Sequence, residues 1–136
     1  MAANVELVSS AYEAFRRGDI RAVMEVLAED ITWQVPAILP HGAVPVRGRE
    51  EVGRFLARLA ETWQDCGLEP CEFIGAGDRV CVTGRASGRL RGAETGYRFV
   101  HCWTVRDGMC TTLEEYVDPD PEVFAASGQP GGGTAA

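Results

Sequence analysis

Apolar positions recur every three or four residues over most of the N-terminal half of the chain and every second residue over most of the C-terminal half. The first spacing marks amphipathic helix, the second a strand with one buried face. Val5, Val8, Ala11, Tyr12 and Phe15 predict a helix over residues 4–17, stopped by "RRGD". Asp19 is placed to cap a second short helix, "IRAVMEVLA", with Ile20, Val23, Met24 and Leu27 on one face. "EDITWQVP" predicts a short strand, with Thr32 and Gln34 on one side and Trp33 and Val35 on the other. The following "PAILPHGAVPVRG" holds three prolines and two glycines and reads as a long loop suited to a pocket rim. Val52, Phe55, Leu56, Leu59 and Trp63 then predict a third helix from Arg49 to Trp63.

After "QDCG" the period changes to two, with strands expected over about 68–75, 78–90, 95–106 and 109–118. "GAGD", "RLRGAE" and "RDG" separate them with the turn chemistry of antiparallel connections. A last short helix is expected from Asp118 to Ala126. The picture is a single α+β domain over 1–126, with three N-terminal helices gathered on one face of a curved antiparallel sheet, and a Gly-rich disordered tail over 127–136. A sheet curled around helices leaves a cavity at its open end.

The stretch "YRFVHCWTVRDG" raises the chemical question. Tyr97, Phe99, His101, Trp103 and Val105 share one face, so a histidine stands in the middle of an aromatic row. On the last strand, Thr111, Leu113, Glu115 and Val117 are expected to turn inward. Glu115 and His101 would then be cross-strand neighbours, about 4.5–5.5 Å apart at Cβ. Such a pair holds the imidazole in one tautomer and suits it to general acid–base work near neutrality. A register slip of one residue would instead send Glu114 inward and Glu115 to solvent. The plainer alternative is a core histidine satisfied by a carbonyl or a water, among aromatics that simply fill the interior.

Composition narrows the functional classes. The 136 residues carry a formal charge of −7, without the basic footprint that nucleic-acid binding needs. No apolar run approaches the ~20 residues of a membrane span, and the first residues lack an export signal, so a cytoplasmic location is expected. Five cysteines without CxxC or Cys/His clustering argue against structural zinc. Free buried thiols are the simplest account of them, with a redox-labile pair as the alternative. Two histidines sixty residues apart, His41 and His101, give no metal-ligand spacing. No phosphate-binding glycine loop or nucleophile elbow is present.

"YEAFRRGDIRAVMEVLAEDITWQVP", "VRGREEVGRFLARL" and "FVHCWTVRDGMCTTLEEYVD", in that order and spacing, resemble the nuclear transport factor 2-like superfamily. Within it they resemble the SnoaL-like polyketide cyclase and ketosteroid isomerase-related branch. The resemblance implies a cone-shaped sheet wrapped around the helices, with pocket side chains projecting inward. It also implies a homodimer through the outer sheet face, where Cys81, Thr83, Arg85, Cys102, Thr104, Thr112 and Tyr116 are expected. The isomerase residues mostly fail to carry over. The general-base aspartate position falls on Val35, the oxyanion tyrosine on Ala11 with Tyr12 one step round the helix, and the protonated aspartic acid on His101. A steroid isomerase with the usual aspartate base is therefore rejected.

The expectation is a cofactor-independent, metal-free enzyme acting on a small apolar carbonyl compound, by aldol cyclisation or isomerisation. His101 is the candidate acid/base and Glu115 its orienting partner. Trp33, Val35, Tyr12, Phe55, Tyr97, Phe99, Trp103 and Leu113 are the candidate binding residues, and His41 is an exposed loop residue or a lid. A non-catalytic domain that binds a hydrophobic ligand, or an accessory dimer, is the alternative from another class. Water activation for epoxide opening is a further one, without a second inward acid to assist it.

Overall fold

A computed structural model describes residues 2–34, 45–90 and 92–119 of the chain. Helix α1 spans Ala2–Arg16 and α2 spans Ile20–Glu25, where the Asp19 carboxylate accepts a hydrogen bond from the Ala22 amide at 3.1 Å. That cap satisfies an amide that the helix start would otherwise leave without a partner. The helix ends sooner than its apolar spacing suggests, because Val26 caps it and Leu27 already begins strand β1, Leu27–Gln34. Strand β2, Val46–Arg47, is short and lay hidden in the proline-rich segment. Helix α3 spans Arg49–Thr62. Four long strands follow: β3 Trp63–Ala76, β4 Arg79–Leu90, β5 Ala93–Arg106 and β6 Met109–Pro119.

The six strands form one sheet in the order β2-β1-β6-β5-β4-β3. The meander β3 to β6 is antiparallel throughout, as its turn residues predict. Asp107 and Gly108 both have positive φ, 52° and 74°, which is the two-residue turn geometry that matches strand twist. One pairing departs from the expected all-antiparallel sheet: β1 runs parallel to β6, so the sheet is mixed. Parallel neighbours need a long crossover, here supplied by β2, α3 and three strands, and no local turn signals it. Asp118 and Pro119 lie in β6 rather than in a terminal helix. Residues 120–136, with the rest of that expected helix and the tail, fall outside the described residues, as do Val35 and His41.

Alternation sets the two faces. Val80, Val82, Gly84 and Ala86 of β4 stand opposite Trp103, His101, Phe99 and Tyr97 of β5, all buried on the concave side. Helix α1 packs over β3 and β4, and α3 over β1, β2 and β3. Val8, Leu27, Ile31, Val52, Val80, Val82 and Leu113 form the fully buried centre. Each such side chain contributes about 1.5–3 kcal/mol by leaving water. Gly84, an inward position of β4, has no room for a side chain. A Cβ there would lie 2.4 Å from the Glu69 carbonyl oxygen and 2.5 Å from the Phe99 ring. Phe99 lies over the backbone at that point.

A bulge separates Thr104 from Val105 in the pairing of β5 with β6, and Val105 pairs with Cys110. The extra residue is Thr111, whose hydroxyl donates to the Thr104 carbonyl at 3.3 Å. The expected inward turn of Thr111 therefore passes to Cys110, which is fully buried. Beyond the bulge the inward set Leu113, Glu115 and Val117 stands as read.

Candidate functional site

The sheet's concave face brings His101 of β5 directly opposite Glu115 of β6. Imidazole Nε2 lies 2.9 Å from the Glu115 carboxylate Oε2, both side chains nearly buried. Glu114 points the other way and pairs with Arg79 at 3.1 Å on the exposed face. The choice between the two acids is settled for Glu115, because the inward phase of β6 is anchored by Leu113 against Trp103.

Helix α1 closes the site from the opposite wall. Tyr12, 4% exposed, brings its hydroxyl 2.5 Å from His101 Nδ1, and Trp103 Nε1 donates to the same hydroxyl oxygen at 2.9 Å. Phe99 stacks on the imidazole with centroids 4.0 Å apart and an interplanar angle of 20°. The ring is thus held at both nitrogens and against one face.

Donor bookkeeping orients this series. An indole N–H only donates and a carboxylate only accepts. In the neutral imidazole the proton must then sit on Nε2, facing Glu115, and Nδ1 accepts from Tyr12. The bonds run in one direction, Trp103 to Tyr12 to His101 to Glu115, and leave no donor in the series unmet. A second proton on the ring reverses the Tyr12 bond. Nδ1–H then donates to the phenol oxygen, which still accepts from Trp103, and the phenol keeps its proton and turns its O–H toward the cavity. Burial, foremost, pushes the Tyr12 phenol above its usual range, against the opposing Trp103 hydrogen bond. It stays neutral and acts as a hydroxyl, not a phenolate.

The cavity beside this series has a volume of about 100 Å³. Tyr12, Trp33, Phe55, Tyr97, His101, Trp103 and Glu115 line it, together with Ala11, Leu56, Leu59 and other apolar groups. Trp33 meets Trp103 edge-on at 5.8 Å and Phe55 at 6.1 Å, which makes the wall rigid and flat-sided. Phe99 and Leu113 are not among the lining residues: Phe99 backs the imidazole, and Leu113, 1% exposed, belongs to the core beneath Trp103. Ala11 and Tyr12 both line the cavity, so the step of about 100° between neighbouring helix positions does not separate wall from exterior. The buried face of α1, with Val8, Ala11, Tyr12 and Ala14, is wide enough for both. Among the described residues no cluster of three or more His, Cys, Asp or Glu could hold a metal.

The SnoaL-like domain family matches residues 8–113. The chain belongs to the SnoaL-like family. Similar solved structures include an NTF2-like protein from Burkholderia thailandensis, 31% identical, with a TM-score of 0.82 over 93% of this chain and 98% of that one. An NTF2-like protein of unknown function from Burkholderia pseudomallei is 30% identical, with a TM-score of 0.81 over 94% of this chain and 99% of that one. TerC, co-crystallised with polyporic acid, is 33% identical over 85% of this chain and 92% of its own, with a TM-score of 0.76. No curated protein matches the SnoaL-like chain. Its helices include none, among the described residues, long and apolar enough to cross a membrane.

Sequence reasoning missed the bond between Tyr12 and His101 and the indole donation to Tyr12. The residues were in view, but the contact joins positions 89 apart and depends on where α1 sits over β5. Of the cysteines, Cys110 is buried, Cys81 and Cys102 half-buried and Cys71 exposed, so buried free thiols describe one of them; the Cys66 side chain is not described.

Proposed function

We propose that this SnoaL-like chain is a cofactor-independent enzyme that moves protons on a small, apolar, carbonyl-bearing molecule, by intramolecular aldol cyclisation or isomerisation. The observation that carries the reading is the one-way series Trp103–Tyr12–His101–Glu115 in the wall of an apolar cavity. His101 is the acid/base. Glu115 holds its Nε2 proton and stabilises the imidazolium. Tyr12 is the hydroxyl through which Nδ1 exchanges protons with the occupant: as a substrate proton reaches the phenol oxygen, the phenol proton moves to Nδ1. The apolar walls exclude water and hold one folded substrate conformation, which is much of what an intramolecular cyclisation requires. The co-crystallisation of TerC with polyporic acid supports a small organic molecule as the occupant.

A second reading, binding without turnover, is favoured by the fact that both ring nitrogens already have protein partners. Acetophenone in D₂O, followed by proton NMR, separates the two. The enzymatic reading expects deuterium in the methyl group faster than in buffer, falling about 10²-fold or more in His101→Gln, with ligand-induced shifts retained. Binding with exchange no faster than buffer supports the second reading.

A further inference from the structure

The convex face of the sheet carries a feature that the cavity does not use. Cys81 of β4 and Cys102 of β5 stand directly opposite each other, and their sulfurs share a hydrogen bond at 3.5 Å. We propose that Cys81 and Cys102 form a reversible modification site, converted to an intramolecular disulfide by a hydroperoxide and returned to two thiols by a small dithiol.

Geometry carries the proposal. Directly opposed residues in an antiparallel pair have Cα atoms about 4.5–5.5 Å apart, inside the window of about 4.4–6.8 Å that a disulfide spans. The sulfurs need to close by about 1.5 Å, a side-chain rotation rather than a backbone movement. Both residues are half-buried in the single chain, on the face where a homodimer is expected, so a small oxidant reaches them when that face is uncovered, and the sheet keeps them facing. The other described thiols are placed differently: Cys71 is exposed on β3, and Cys110 is in the core. The site lies on the face opposite the His101 series, and it stands or falls apart from the reading of the cavity.

Burial, then the bond to Cys81, holds the Cys102 thiol above its ordinary value, with Arg79 opposing. The product is the same whichever sulfur attacks first. The thiolate of one cysteine attacks one peroxide oxygen, the O–O bond breaks, hydroxide leaves, and that cysteine becomes the sulfenic acid. The facing sulfur then attacks the sulfenic sulfur; the S–S bond forms, the S–O bond breaks and a second hydroxide leaves. The two thiol protons convert both hydroxides to water. Each sulfur gives one electron, and the peroxide takes two.

The full-length protein, treated with hydrogen peroxide, quenched by alkylation and mapped as non-reduced peptides, tests this. The expected result is a monomeric product lighter by two hydrogens, with one link joining the Cys81 and Cys102 peptides and full recovery of both thiols with dithiothreitol. Cys71→Ser leaves the link intact, and Cys81→Ser abolishes it and leaves Cys102 alkylatable. The proposal is overturned if the wild-type link joins another pair or two chains. It is equally overturned if Cys81 and Cys102 stay alkylatable, or oxidise separately to sulfinic acids. The wild-type map decides the matter even where a variant fails to fold.

Discussion

The Tyr12 hydroxyl lies between two partners of opposite demand, accepting from Trp103 at 2.9 Å and meeting His101 Nδ1 at 2.5 Å. A hydroxyl so placed has one proton and one direction in which to send it, and that direction fixes the imidazole tautomer. Tyr12→Phe removes the oxygen and leaves both the indole N–H and Nδ1 without partners in a buried place. The variant is expected to lose about 1–3 kcal/mol of stability, read as a lower urea midpoint with an unchanged slope.

Glu115 has a different task, because it receives the far proton of the ring. Glu115→Ala leaves Nε2–H unbonded and is expected to cost about 1–3 kcal/mol. Glu115→Gln keeps a carbonyl acceptor of the same size, so its stability should sit closer to wild type. It loses the negative charge that stabilises the imidazolium, and acetophenone exchange should fall about 10²-fold or more. Separate urea titrations and exchange rates on the two variants check the split between packing and charge.

How much of this was legible in the sequence varies with the range of the contact. The inward phase of Tyr97, Phe99, His101 and Trp103 follows from alternation alone, since a strand with one buried face has little freedom of register. Glu115 rather than Glu114 faces in by the same alternation, in phase with Leu113 opposite Trp103, and the extra residue at Thr111 changes the phase only of the residues before it. Before the bulge the reading failed at Thr111; beyond it the reading stood. The parallel pairing of β1 with β6 and the seat of α1 over the site are long-range packing outcomes with no local residue to announce them. Phe99 and Leu113 looked like walls because they share a face with true walls; only depth distinguishes them.

Gly84 is required by a close approach of backbone rather than by an unusual φ. Gly84→Ala places a methyl group against the Glu69 carbonyl oxygen, the Phe99 ring and the Pro70 Cα. Two of those neighbours are backbone, so the methyl cannot be relieved by side-chain rotation alone. The expected cost is about 1–3 kcal/mol. A shift in the imidazole resonances of His101 should accompany it, since Phe99 is the ring that would move.

Burial pushes the Cys110 thiol up to about 12. The unfolded thiol titrates near 8.5, so the folded chain resists losing a proton that the unfolded chain gives up readily. The contribution is fully present below about pH 8.5 and is lost as pH rises from there toward 12. Between pH 8 and pH 10.5 the urea midpoint of wild type should therefore fall further than that of Cys110→Ala. Equal falls would remove Cys110 from the alkaline limb. In native labelling at pH 8, exposed Cys71 should react with a thiol reagent well before Cys110.

Long-range proton–nitrogen correlation spectra of His101 in its neutral form test the bonded series most directly. The predicted result is a proton on Nε2 and an acceptor at Nδ1, with that preference weakened in Glu115→Ala, where no carboxylate accepts from Nε2. A neutral ring with its proton on Nδ1, or two nitrogens averaged as in free imidazole, would contradict the account.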